Sequence, residues 1–416
     1  NPAKGEEFYA IRKDGNVSTF WIVDEKGLST GTGLPKPGQL DVTPRALIAT
    51  SAAAPNSVWV LFAGKKDSVG GIWGLYKSDD QGRTFGRRCC GPDEPSMPTP
   101  LQPNLIDYNP MGLGLAQVTW DMAFAVSSTD TSFIVAGGIF AYVSSNGGQT
   151  WKATAPIHYD VQDAVIVGDT LWVSTDGGIQ RSNDRGTTLE DRSAGICAVE
   201  VWGFGQAPGT GVMAIGAYHL PIFVRDDAVH DSRGFSAGWY PWSGADAMMA
   251  DVHPDNTQWL YAKPWTSVRG YRHRSRFKTP IVRNLGIELG YLPFSNVAFH
   301  PVESYTIVAI DHNIPGVVRT TDNAETWTTL KKFSISGVHV RIAGSRPATM
   351  AAIGDGNLWH STDVGATLSD ITPSALQTLE KRIVDVAFDN EHPDTLWIVF
   401  GGGQQDVKVM RTTDAG

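Results

Sequence analysis

The sequence has few cysteines, little charge and no long apolar run. Its three cysteines are Cys89, Cys90 and Cys197. An odd count excludes a disulfide-framework fold. It leaves three readings: a bond between the neighbours Cys89 and Cys90, a bond from one of them to Cys197, or three thiols. Charged residues make up 19% and hydrophobic residues 41%, which excludes a chain too polar to bury a core. No apolar run approaches the roughly 18–20 residues that cross a bilayer, so no membrane span is expected. Lys and Arg number 34 against 43 Asp and Glu, a formal net charge of −9. Nucleic acid is therefore not an expected partner, because a phosphate backbone calls for a basic face. There is no Walker loop, no paired CxxC and no HExxH motif, and neither a cofactor nor a metal is expected. The chain opens Asn1-Pro2-Ala3-Lys4-Gly5 with no apolar leader, which leaves a cytosolic protein or one whose leader has been removed.

What the chain does have is turns and a repeat. Gly and Pro number 45 and 24, and an octapeptide recurs with the pattern [S/T]-x-[D/N]-x-G-x-T-[W/F/L]. Its copies begin at Ser78, Ser144, Ser182, Thr320 and Ser361, and a partial sixth begins at Thr412 and stops at Gly416, so the natural chain is expected to continue. The chemistry is that of a tight hairpin turn. The side chains of Asp80, Asn146, Asp184, Asp322 and Asp363 can accept backbone N–H bonds across the turn. The Gly supplies a positive φ, and the ring or Leu that follows restarts a strand and packs between sheets. The motif resembles the Asp-box, or BNR repeat, of sialidases, the xyloglucanase family of glycoside hydrolases, the sortilin luminal domain and photosystem II assembly propellers. The resemblance implies an all-β fold, a β-propeller of four-stranded antiparallel blades, with each box in the turn between outer strands as a fold stabiliser.

Box starts are 66, 38, 138, 41 and 51 residues apart. The gap of 138 is about three repeats long, so two degenerate copies are expected near Phe223–Asp226 and Gly270–His273. Short links, His253-Pro254, His300-Pro301 and His392-Pro393, precede apolar runs and are read as equivalent turns rather than as metal ligands. The expected architecture is one propeller over residues 1–416, with eight blades, or seven as the alternative. Residues 86–118, holding Cys89-Cys90 and six prolines, are expected to be an inter-blade insertion. The N-terminal strands within 1–25, at 8–12 and 18–23, are expected to close the last blade beside the strand that ends near Arg411, because an open sheet edge is a liability.

A propeller binds ligands where inner strands and loops converge. Residues that precede or open inner strands are Trp120, Asp121, His158, Asp160, Trp202, Trp242 and Asp246. Trp and Asp together suit carbohydrate: rings stack on sugar faces and carboxylates hold hydroxyls. Residues 119–262 resemble large secreted BNR proteins of bacterial surfaces, which implies a secreted or cell-surface location. The Arg-Ile-Pro-like motif expected of a sialidase has no match at Ile11-Arg12-Lys13 or Pro44-Arg45-Ala46, and the Gly-rich motif around the first catalytic Asp of the xyloglucanase family is not found. The basic cluster Arg269 to Arg276 is read as a solvated outer strand. The expected function is a binding scaffold for glycan or protein. The alternative is a divergent glycoside hydrolase with a carboxylate pair at the channel mouth, such as Asp121 and Asp246.

Overall fold

Short runs such as Val58-Trp59-Val60-Leu61-Phe62 and Ile134-Val135-Ala136 are rich in β-branched and aromatic residues and bounded by turn formers. Continuous apolar runs of this length fit strands covered on both faces. The computed structural model describes residues 1–36, 38–91, 98–196, 199–226, 239–241, 246–257, 259–264, 267–272, 281–288, 297–334, 337–374, 382–401 and 409–415. Among the described residues there is no α-helix, and no helix long and apolar enough to cross a membrane. Two units divide the chain, Asn1–Cys197 and Ala198–Gly416.

The first unit holds three sheets. The first sheet runs β1 (Phe8–Asp14), β2 (Val17–Asp24), β4 (Val42–Ser51), β5 (Ala54–Lys66), β6 (Val69–Ser78) and β7 (Gly86–Cys89), with β3 (Gly27–Ser29) also on β2. The second comprises β8 (Ala123–Val126), β9 (Ile134–Gly137), β10 (Ala141–Ser144) and β11 (Lys152–Ala153), and the third β12 (Val161–Val167), β13 (Thr170–Thr175), β14 (Gly178–Ser182) and β15 (Glu190–Asp191). Alternate residues of β9 face opposite ways. Ile134 and Ala136 join Trp59, Leu75 and Tyr142 between the first two sheets. Phe133 and Val135 join Val161, Ile166 and Leu171 between the second and third.

The second unit holds five sheets in the same style. They are β16 (Val201–Gln206), β17 (Met213–Ala217), β18 (Phe223–Arg225) and β19 (Trp239–Pro241); β20 (Ala247–Val252), β21 (Trp259–Pro264), β22 (Ser267–Arg272) and β23 (Ile281–Glu288); β24 (Val297–Phe299), β25 (Ile307–Asp311), β26 (Gly316–Thr320) and β27 (Thr328–Lys332); β28 (Gly337–Ile342), β29 (Met350–Gly354), β30 (Asn357–Ser361) and β31 (Ser369–Asp370); and β32 (Arg382–Phe388), β33 (Leu396–Gly401) and β34 (Val409–Thr412). Among the described residues the strands pair antiparallel except at the parallel bridge Val17↔Thr43 between β2 and β4, and an isolated parallel bridge joins Thr32 to Thr84. Close approach of β16 to β20 needs glycine: a Cβ on Gly203 would lie 2.5 Å from Ala250 N, and one on Gly205 2.4 Å from Asp251 Cα. The expected degenerate repeats fall at β18 and at the end of β22, and residues 227–238 and 273–280 lie outside the described residues.

The N-terminal strands are a correction. They were expected to complete the last sheet, but β1 and β2 form a hairpin through seven residue pairs and join the first sheet. The reason is packing: Phe20 and Ile22 of β2 are buried with Val58, Val60 and Phe62 of β5. The segment expected as an insertion from residue 86 begins with a strand, β7, paired to β6. Beyond it, Leu105, Ile106 and Val118 are buried in the core between the first two sheets. Buried Asn104 ties this segment together, its Oδ1 accepting from Ile72 N at 3.3 Å and its Nδ2 donating to Gly114 O at 2.9 Å. Cys89 and Cys90 are disulfide-bonded to each other, and Cys197 lies outside the described residues.

The octapeptides lie between the last two strands of five sheets, after β6, β10, β14, β26 and β30. The carboxylate Oδ1 of Asp80, Asp184, Asp322 and Asp363 accepts the backbone N–H of the Thr four residues on, at 2.8–2.9 Å. Asn146 does the same at 3.0 Å and donates Nδ2 to Thr150 Oγ1. The leading hydroxyl closes the turn. Buried Ser78, Ser144, Ser182, Thr320 and Ser361 each donate to the Asp or Asn two residues on. Each also accepts the N–H of the residue four on, at 2.7–2.9 Å. That fourth residue has φ of 81°, 85°, 85°, 65° and 84° at Gly82, Gly148, Gly186, Ala324 and Gly365.

The His-Pro links are turns of a related kind, with one change of residue. His253 Nδ1 accepts from Asn256 N at 3.0 Å and His300 Nδ1 from Glu303 N at 2.9 Å. In the last sheet this role falls to Asp389, whose Oδ1 accepts from Glu391 N and His392 N at 2.9 Å, so His392 is not the equivalent of the other two.

Ser78→Ala removes the acceptor of a buried Gly82 N–H, and an unsatisfied buried amide costs about 1–3 kcal/mol. The variant is expected to unfold at lower denaturant with an unchanged slope, as a urea titration will show. Hydrogen bonds from Thr188 and Ser182 pull Asp184 down to about 2, and those from Thr367 and Ser361 do the same to Asp363. A depressed folded-state value means that this stabilisation is full above about pH 4 and is lost as pH falls toward about 2. Thermal melts across that window are expected to show the loss.

Candidate functional site

β-Bulges position the candidate side chains. In six sheets one strand carries one extra residue against its neighbour: β4, β12, β16, β20, β28 and β32. A bulge re-aims the side chain it carries. In β12 the extra residue is Gln162, because Val161 faces Thr175 and Asp163 faces Ser174. In β16 it is Trp202, because Val201 faces Ala217 and Gly203 faces Gly216.

In the first unit this aim assembles a carboxylate cluster. Gln162 Nε2 donates at 2.7 Å to Oδ1 of both Asp121 and Asp176. Asp160, at φ 66°, is held by Gln117 Nε2 at 2.9 Å. The same nitrogen reaches Tyr108 OH at 3.0 Å, so the segment after β7 is tied to the cluster. The backbone pins it as well: Val161 N donates to Gly138 O, and Asp176 N to Asp160 O. Carboxylate oxygens of Asp160 and Asp176 lie within 4.8 Å of each other.

Arg45 supplies the facing cation. Its guanidinium donates to Trp120 O at 2.7 Å and to the carbonyls of Val118 and Thr119 at 3.4 Å, closing the turn that presents Trp120. Burial lowers the Arg45 pKa against the opposing pull of Asp121 and Asp163. Asp121 is 3% exposed. Burial, then the charges of Asp160 and Asp176, push it up to about 6 against the hydrogen bond from Gln162.

Exposed aromatic residues adjoin the carboxylates in the chain, Trp120 next to Asp121 and Tyr159 next to Asp160. Trp120 is 75% exposed, and Tyr108 and Tyr159 are exposed too, with Tyr159 set edge-on against Phe140 at 5.2 Å. His158 is exposed, with Nδ1 3.1 Å from Tyr159 O. Its ring lies over Gly177, where a Cβ would come within 2.4 Å of it. Of the residues expected from sequence, Trp120, Asp121, His158 and Asp160 therefore share this region of the first unit.

Trp202 and Asp246 belong to the second unit. Trp202 stacks on Tyr218 with centroids 4.0 Å apart and planes 11° apart, and its Nε1–H donates to Glu200 at 2.6 Å. Tyr218 in turn meets His219 at 3.7 Å, whose backbone N–H donates to Asp246 Oδ1 at 3.0 Å. Trp242 lies outside the described residues, as does part of the Arg269–Arg276 cluster. Gln162, Asp176, Arg45, Gln117 and Tyr108 were missed as site residues. Only strand register reveals the first three.

No protein-family model matches the chain, and no curated protein matches it. Among solved structures, a GH74 enzyme from Niastella koreensis is 13% identical, with 89% of this chain and 76% of that chain covered and a TM-score of 0.27. A GH74 xyloglucanase from Xanthomonas campestris is 14% identical, with 99% of this chain and 66% of that chain covered and a TM-score of 0.43. A YCF48 from Cyanidioschyzon merolae is 14% identical, with 71% and 95% covered and a TM-score of 0.33.

Asp121→Asn keeps the acceptor for Gln162 and removes the buried charge. A carboxyl whose folded-state value is raised costs stability as pH climbs through that value and nothing below the unfolded value. Discounted for solvent screening, the variant is expected to be more stable than the parent by about 1 kcal/mol at about pH 7.5 and equal to it at about pH 4. Denaturant titrations at the two pH values check this.

Proposed function

We propose that the sheets are blades of a single Asp-box β-propeller, and that the protein is a secreted or cell-surface scaffold that binds glycan on the carboxylate cluster of the first unit. Side-by-side strands of neighbouring sheets support the propeller, β4 with β8 and β8 with β12 in one unit, and β16 with β20, β24 with β28 and β28 with β32 in the other. The Cys89–Cys90 disulfide suits an oxidising compartment. The observation that carries the binding reading is an exposed Trp120 beside a hydrogen-bonded set of carboxylates. The indole offers a flat apolar face to a sugar ring, and Asp160 and Asp176 offer acceptors to its hydroxyls. On a glycan array the protein is expected to bind oligosaccharides, and Trp120→Ala to weaken the best of them roughly tenfold or more. An array with no hit, or a variant that binds as the parent does, counts against the reading.

The raised pKa of Asp121 favours a second reading, a glycoside hydrolase with Asp121 as general acid. Its burial and its bond to Gln162 weigh against it, because the proton cannot reach a glycosidic oxygen without rearrangement. Release of new reducing ends by the parent, abolished in Asp121→Asn, would replace the binding reading with this one.

A further inference from the structure

On another face of the first sheet lies an open groove of about 820 Å³. Two bulges build its floor. In β6 the extra residue is Trp73, since Phe62 faces Gly74 and Ala63 faces Ile72. Between β6 and β7 a second shift sets Tyr76 directly opposite Arg87. Tyr76 is buried edge-on against Phe62. Its ring runs past Gly74, where a Cβ would lie 2.7 Å from Tyr76 Cε2 and 3.2 Å from Arg87 Cδ. Any side chain at position 74 would therefore displace the ring that floors the groove.

The wall is fixed at both ends. Thr32 N donates to Arg83 O at 2.8 Å and accepts from Phe85 N at 2.9 Å through its carbonyl, and Asp41 N donates to Lys65 O at 2.9 Å. Between these anchors Lys36 N donates to Gln39 Oε1 at 2.7 Å. Gly33 sits so close to Phe85 O that a Cβ would come within 2.1 Å of it. The groove is thus lined by Trp73 and Tyr76 below, and by Lys36, Lys66 and Arg87 around the rim, with Asp67 the one acid among the described residues that line it. Among the described residues neither Lys36 nor Lys66 is in an ion pair. On a chain of formal net charge −9 this is a local excess of cations over an aromatic floor.

We propose that this groove binds an acidic oligosaccharide, a chain of uronic acid residues, independently of the cluster around Trp120. A pyranose ring is flat and apolar on one face, which Trp73 can take, and its carboxylate meets Lys36 and Lys66. A peptide fits less well: extended peptides are held by main-chain pairing to a sheet edge, and β6 is already paired to β5 along its length and to β7 at Leu75–Lys77, where Tyr76 floors the groove.

Calorimetric titration with trigalacturonate is the test, with neutral galactotriose and hexaglutamate as comparison ligands. Trigalacturonate is expected to bind and galactotriose not to. The exposed variants Lys66→Glu and Lys36→Glu are each expected to weaken binding roughly fivefold or more, and added salt to weaken it further. Trp73→Ala is expected to abolish binding while Trp120→Ala leaves it unchanged, which separates this groove from the site proposed above. The proposal is overturned if trigalacturonate fails to bind at about 10 mM, if galactotriose or hexaglutamate binds as tightly, if neither lysine variant changes the affinity, or if Trp120→Ala removes it.

Discussion

The structure depends on a buried hydroxyl. Three of the octapeptide turns press their backbone onto the neighbouring sheet: a Cβ on Gly148 would come within 2.2 Å of Leu75, one on Gly186 within 2.9 Å of Thr154 and one on Gly365 within 2.5 Å of Leu330. With no room for a side chain, that amide must be satisfied from within the turn, and the Ser or Thr at its head does so. The same oxygen orients the Asp or Asn, which then fixes the Thr that restarts the outer strand. One atom therefore couples hairpin register to sheet-to-sheet packing. Because buried polar groups are costly when unpaired, a chain that repeats this turn is held to one register in sheet after sheet.

Regular sheets of this kind present few convergent groups, and the irregularities supply them. The bulge in β12 turns Gln162 toward two carboxylates. The bulge in β16 turns Trp202 onto Tyr218, and the bulge in β6 brings Trp73 to the floor of the groove beside Lys36 and Lys66. In each case one residue out of step places a polar or aromatic side chain where strict alternation would place an apolar one. The proposed binding groups and the groups that stabilise the fold are thereby largely different residues.

Local features were legible in the sequence and register was not. The octapeptides, the strands of the second sheet and the neighbourhood of Trp120, Asp121 and Asp160 follow from spacing and turn chemistry. Gln162 and Arg45 do not, because whether a strand residue points at a site or away from it changes with a one-residue shift. Asp176 lies in the turn between β13 and β14, and its place in the cluster depends on Gln162 of β12 lying alongside. The hairpin of β1 and β2 went to the first sheet because Phe20 and Ile22 find their core there, a non-local preference that no edge argument contains. Asp389 replaced His392 in its turn because either ring nitrogen or carboxylate can accept the same amides. Sequence spacing alone favoured the histidine.

The central claim is that the surface around Trp120 is a sugar-binding face. A crystal structure of the protein with an oligosaccharide bound tests it most directly. The account predicts a sugar ring stacked on the Trp120 indole, with ring hydroxyls donating to Asp160 or Asp176 and Asp121 still bonded to Gln162. A sugar seated elsewhere with Trp120 left uncovered would contradict it.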